Sequence, residues 1–216
     1  MSLDERQYLI LGSLLVLATI AASIVAYPRL PEQVAIHWNA AGQADDHMAK
    51  TMGAFLLPGI SLLFLVFYRI IPRIDPLREN IAAFRSTFDL LMNVVLGFLL
   101  YTNLLVLGAN LGYVANVSRF IAPAIGLLLV IVGRLITRSK RNWFIGVRTP
   151  WTLSNDQVWD DTHRVTGKLL MAAGFIAMLG FVYPRQLVLL LAAPAAAAAA
   201  FGTVYSYVRY RQVDDQ

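Results

Sequence analysis

The sequence predicts an all-α fold, a polytopic membrane helical bundle with six transmembrane helices, and three observations carry that prediction. Of 216 residues, 58% are hydrophobic and only 14% charged, with a mean hydropathy of +0.61. Soluble domains carry about 25% charged residues. The apolar residues also collect in six long windows, and a helix needs about 20 of them to cross roughly 30 Å of hydrocarbon. The segments between the windows are too short for a water-soluble domain. Helices rather than open sheets are expected, because only they satisfy their backbone inside lipid. The same composition excludes disorder. The absence of cysteine excludes disulfides, thiolate metal sites and cysteine nucleophiles.

The windows are Tyr8–Ala26, Met52–Ile71, Phe88–Gly108, Arg119–Thr137, Gly167–Tyr183 and Gln186–Val208. The first is longer than a cleavable signal core, and its flank Met1–Gln7 sets Arg6 against Asp4 and Glu5, so it is expected to be retained. The third carries Asp89, Asn93 and Asn103, with Asn110 just past its end. All four fall on one helical face. Such a stripe is expected to face the interior and hydrogen-bond to neighbouring helices. The alternative is a polar pathway for an ion or small solute, which would make the protein a transporter or channel. Only Pro184 and Arg185 separate the last two windows, which predicts a tight helical hairpin. The run Ala195–Ala200 should let the last helix approach its neighbours closely.

Lysine and arginine set the expected orientation. With both termini in the cytoplasm, four of the 18 basic residues lie outside: Arg29, Lys50, Arg119 and Arg185. The other fourteen collect inside, a strong positive-inside bias. The net charge of +5 and the pI near 9.7 are thus a topology signal, and direct nucleic-acid binding is not expected. The predicted location is the cell membrane, with membrane lipid as the first partner.

Two loops, 27–51 outside and 138–166 inside, hold all four tryptophans: Trp38, Trp143, Trp151 and Trp159. An aromatic belt at headgroup level accounts for Trp143, Trp151 and Trp159. In the outer loop Leu30, Val34, Ile36 and Trp38 are expected to rest on the membrane surface. The alternation of Val34, Ile36 and Trp38 predicts an extended piece that could take a partner strand on its edge. His37 and Asp46 are expected to hydrogen-bond within the loop, with Lys50 at the headgroups. No metal site is predicted, since His37, Asp46 and His47 lack a compact ligand spacing and are weak candidates.

In the inner loop, Ser154 followed by Gln157 reads as a capping box, with Asp156, Asp160 and Asp161 in the first turns. Asp156, Asp160 and His163 share a face, which the capping reading largely explains. Trp159 and His163, one turn apart, should let this helix lie along the interface and feed into the fifth span. Gly146 with Thr149 and Pro150 predicts a turn that lets Arg148 meet lipid phosphate or an acidic partner. Arg138, Lys140 and Arg141 complete a basic rim attractive to anionic lipid. No phosphate loop, nucleophile elbow or His-Glu-x-x-His helix is present, so neither an enzyme nor a cofactor is expected.

The two loops also carry a resemblance. Pro31, Val34, Ile36, His37, Trp38, Asn39, Gly42, Asp46 and Lys50 resemble the N-terminal signature of SdpI-type membrane proteins. Asn142, Phe144, Ile145, Gly146, Arg148, Thr149, Pro150, Trp151, Thr152, Trp159, His163, Arg164 and Gly167 resemble the C-terminal signature of the same family. His47 is a departure, standing where a small residue is expected. The resemblance implies an immunity protein that protects its cell against a secreted, membrane-active peptide toxin sensed by the outer loop. It also implies a docking role for the inner loop, with a small cytoplasmic repressor as the partner. On this reading 1–71 is an N-terminal region, 72–137 holds the middle spans, and 138–216 is the C-terminal region.

Overall fold

The computed structural model describes residues 3–39 and 41–214. Its elements are α1 (Leu3–Ala26), β1 (Gln33–Trp38), β2 (Ala44–Ala49), α2 (Lys50–Ile74), α3 (Arg78–Ala83), α4 (Arg85–Asn110), α5 (Val117–Ile136), α6 (Pro150–Ser154), α7 (Asp156–Met178) and α8 (Leu187–Asp214). Among the described residues, α1, α2, α4, α5, α7 and α8 are long and apolar enough to cross a membrane. The chain is a multi-pass helical membrane protein. Large apolar side chains on the outer faces, such as Leu14, Val25 and Leu189, are more than half exposed, as lipid-facing positions require.

The six helices pack as two trios, α1–α2–α4 and α5–α7–α8, which meet through α4 and α5. The first trio is filled by large side chains. Val16, Tyr68, Ile71, Phe88, Met92 and Leu96 form its core, extended by Ile81 and Phe84 from α3 and the turn after it. The second trio closes by the opposite device. Gly126 faces Gly174 and Gly133 faces Gly167, and a Cβ on any of them would stand 2.5–2.6 Å from the opposing carbonyl oxygen. Two G-x6-G repeats on antiparallel helices thus bring α5 and α7 to backbone contact, where dispersion replaces the hydrophobic drive that lipid removes.

The tight hairpin expected between the last spans is present. Single 3-10 turns at Leu179–Phe181 and Pro184–Gln186 join α7 to α8. The alanine run contributes less than expected, with only Ala198 fully buried. At Gly202 the α8 backbone is approached by the Thr166 side chain of α7, which fills the space a Cβ would need.

Alternation of span direction puts the β1–β2 hairpin at one end of the bundle. The segment from Thr137 to Asn155, with α3, lies at the other end and forms a platform. Each end structure crosses the seam between the trios, and these crossings position the candidate sites.

Candidate functional site

The hairpin begins where Tyr27–Arg29 turns the chain after α1, and β1 pairs antiparallel with β2 from Gln33↔Ala49 to Trp38↔Ala44. Register shifts on either side of His37 bulge and twist β1. The underside of the hairpin is apolar: Leu30 and Val34 are buried with Ala26, Ala54 and Leu107. Gly53 makes room for Val34, because a Cβ there would stand 2.7 Å from the Val34 Cβ. Leu30 and Val34 therefore pack onto the helix ends and not onto the membrane surface, since the bundle offers a closer apolar partner than the headgroup layer.

Nor is β1 open for a partner strand. One edge takes β2, and the other meets Asn110, which accepts the Ala35 N–H at 2.8 Å and donates to the Ala35 carbonyl at 2.9 Å. A side-chain amide of α4 thus mimics a neighbouring strand. The free edge is that of β2, where Asp45, Asp46 and His47 are exposed. The Asp46 carboxylate accepts the His47 N–H at 2.8 Å, and charge along an open edge discourages pairing. His37 and Asp46 both bond within the loop as expected, His37 through Nδ1 to the Asp45 carboxylate. Among the described residues no three metal-ligating groups come together.

The hairpin tip is set by Asn39, whose Oδ1 accepts from the N–H groups of Ala41 and Gln43, and by Gly42 at φ +78°. This tip reaches the second trio. Ser118 of α5 donates to the Asn39 carbonyl at 3.4 Å, and the Asn116 side chain lies against Gly42. Lys50 sits over the Tyr27 ring at 5.2 Å and 3.7 Å from Glu32, while Pro31 opens the strand segment.

At the platform end the organising residue is Asn142, fully buried. Its Oδ1 accepts the N–H groups of Phe144 and Ile145, and its Nδ2 donates to the carbonyls of Lys140 and Ile145. Every hydrogen-bonding position of the amide is used. This coil presents Phe144 and Ile145 to the core of the first trio. Asp75, buried after α2, accepts the Trp143 N–H at 2.9 Å and the Leu77 N–H at 2.6 Å. Asn80 donates to the Arg141 carbonyl.

Trp159 is fully buried, its indole donating to the Ser139 carbonyl at 3.0 Å, so it is not part of an aromatic belt. Trp143 is half exposed, and Trp151 packs on Tyr207 of α8 with ring centroids 5.0 Å apart. His163 is buried and stacks on Trp159 at 4.0 Å. Its Nε2 accepts the Val147 N–H at 2.9 Å, so Nδ1 carries the proton and donates to the Trp159 carbonyl at 2.8 Å. Gly146, at φ +109°, has no room for a Cβ because the His163 ring occupies that space. Trp159 and His163 therefore face inward and clamp the loop, not the membrane interface.

The caps also differ from expectation. Asn155, not Ser154, caps α7, its Oδ1 accepting from Gln157 and Val158, while the Ser154 hydroxyl donates back to Trp151. The capping box lies one short helix earlier, between Thr149 and Thr152, with Pro150 at the first turn of α6. An asparagine ahead of Asp156 competes well with serine as a cap. Thr149 also shares a 3.0 Å hydrogen bond with Ser206, docking α6 on α8. Asp156 pairs with Arg141 and Asp160 with Lys140, so the shared face with His163 is not a common site. Arg148 is exposed and spends one donor on the Trp143 carbonyl, while Arg164 pairs loosely with Asp161. Gly167 serves the α5–α7 contact described above.

The polar face of α4 lies inside the bundle, as expected. Asn103 donates to the Thr19 carbonyl and to the Ser23 hydroxyl of α1. Asn93 donates to the Asp89 carbonyl, and Asp89 accepts from Arg85 at 2.8 Å. Arg85 also meets Glu5 at 3.4 Å. The sequence reading missed Asp75, Asn80, Ser139 and Gly126. The G-x6-G spacing was the available signal for the glycine; the polar three are isolated in sequence and gain meaning only through distant partners.

Two trios of spanning helices, stapled at opposite ends by a strand hairpin and a coiled platform, define a multi-pass membrane protein. Residues 138–206 match the family model described as the SdpI/YfhL protein family, and residues 14–62 match one described as a domain of unknown function (DUF1648). The chain is 30% identical over 207 residues to the Immunity protein SdpI of Bacillus subtilis (strain 168), covering 95% of this chain and 97% of that protein. The chain belongs to the SdpI family. No solved structure matches it.

Proposed function

We propose that this is a membrane immunity protein that protects its cell against a secreted, membrane-active peptide toxin. The observation that carries the reading is the end-to-end similarity to a protein named for immunity, with both end structures included in the alignment's span. The hairpin faces outward and senses the toxin through its exposed upper surface, where His37, Asp45, Asp46 and His47 stand above an apolar underside. The platform faces the cytoplasm, and exposed Trp143 and Arg148 supply a docking surface for a small repressor. Supporting this reading over a transporter, two of the three amides of the α4 face tie elements together, Asn103 to α1 and Asn110 to the hairpin.

The test is survival of a toxin-sensitive bacterial host challenged with a membrane-active peptide toxin. The wild-type chain is expected to protect, and His37→Ala with Trp38→Ala to lose protection at unchanged membrane abundance. Trp143→Ala is expected to keep protection and to weaken repressor recruitment to membranes. Full protection by the hairpin variant would remove the outer loop from the sensing role.

A further inference from the structure

At the platform end, on the side of the first trio, a cavity of about 220 Å³ opens between α1, α2 and α4. It is lined by Glu5, Leu9, Arg69, Pro72, Arg73 and Arg85. Three guanidinium groups meet there, and they are not equivalent. Arg85 is neutralised by Asp89 at 2.8 Å and Glu5 at 3.4 Å. Arg69 and Arg73, one turn apart on α2, show no such carboxylate pairing among the described residues. Arg73 donates to the Arg69 carbonyl at 2.7 Å, which holds its side chain back along the helix toward Arg69.

Depth decides what such a pair can bind. Arg69 and Arg73 lie in the last turns of the α2 span, at the level where hydrocarbon gives way to headgroups. Toward the middle of the span the same helical face continues as Val66 and Leu62, which are 42% and 51% exposed. Two guanidiniums above an exposed apolar stripe match a phosphate joined to an acyl chain. Guanidinium forks suit phosphate oxygens, and basic pockets between spanning helices hold anionic headgroups. We propose that this cavity binds the phosphate of an anionic phospholipid, clamped by Arg69 and Arg73, with the chains lying along Val66 and Leu62. Arg85, fixed by Glu5 and Asp89, forms the back wall.

The full chain, purified in detergent with phosphatidylglycerol added, can be examined by native mass spectrometry for the lipid it retains. Arg69→Gln with Arg73→Gln is expected to weaken retention about thirtyfold, from two lost charge contacts. The pair Arg134→Gln and Arg211→Gln, exposed on α5 and α8 of the second trio, is expected to leave retention unchanged. Equal loss in both double variants would reduce the effect to general basicity and overturn the site. Inorganic phosphate in excess is expected to leave the lipid bound; its displacement of the lipid would make free phosphate the ligand and overturn the assignment to lipid. Arg69→Lys with Arg73→Lys keeps both charges and guards against misfolding. It is expected to retain lipid more weakly than wild type, and retention equal to wild type would remove the guanidinium clamp.

Discussion

At the scale of single residues, three polar side chains act on the backbone of the end structures. Asn142, His163 and Asn110 each satisfy main-chain groups that a coil or a bent strand would otherwise leave unpaired. His163→Leu keeps the volume but strands the Val147 N–H, and should cost about 1–3 kcal/mol in denaturant unfolding of the detergent-solubilised protein. Gly146→Ala should cost a similar amount from the opposite partner, because its φ of +109° is strained for any side chain and the His163 ring blocks the new methyl. Asn110→Ala differs in reach. It should raise hydrogen exchange at the Ala35 amide while leaving the platform amides unchanged, because the loss is confined to the strand edge.

At the scale of elements, the two trios are stabilised by unlike means, and substitutions should report this. Gly133→Leu places a large side chain where α5 and α7 touch through their backbones, and overpacking of this kind costs about 1–3 kcal/mol or forces the helices apart. A Cβ added at Gly97 on α4 would meet nothing within 4 Å, so Gly97→Ala should not destabilise. The difference in thermal midpoint between these two variants, measured in one detergent, checks the assignment. The helical spans and the α7–α8 turn were legible in the sequence, because hydrophobic length alone specifies a spanning helix. The Asn155 cap and the buried position of Trp159 were not. Both depend on which of several competent residues the tertiary structure turns inward.

At the scale of the whole molecule, each end structure belongs to one trio and grips the other. The hairpin of the first trio touches α5 through Asn39 and Gly42, and the coil following α5 inserts Phe144 and Ile145 into the first trio's core. A disturbance of the hairpin can therefore reach the platform as a small shift of one trio against the other, the kind of motion by which packed interfaces switch. The proposed orientation is open to direct measurement in this cysteine-free chain. Gln43→Cys in the hairpin turn should react with a membrane-impermeant thiol reagent on intact cells, and Gln157→Cys, at an exposed position of α7, should not. Labelling of the Gln157→Cys variant alone would invert the molecule and exchange the roles of its ends.

Composition and hydropathy determined the fold class, the number of spans and the inward polar face of α4, since these follow from the cost of placing polar backbone and side chains in hydrocarbon. The residue patterns of the two loops determined the family. Only the tertiary structure decided what those residues touch. Leu30 and Val34 could face lipid or helix ends, Ser154 or Asn155 could cap α7, and β1 could offer its edge or have it filled by Asn110. The alternatives in each pair are close in local energy, and the choice falls to contacts between residues far apart in the chain, such as Asn110 with Ala35 and Asp75 with Trp143.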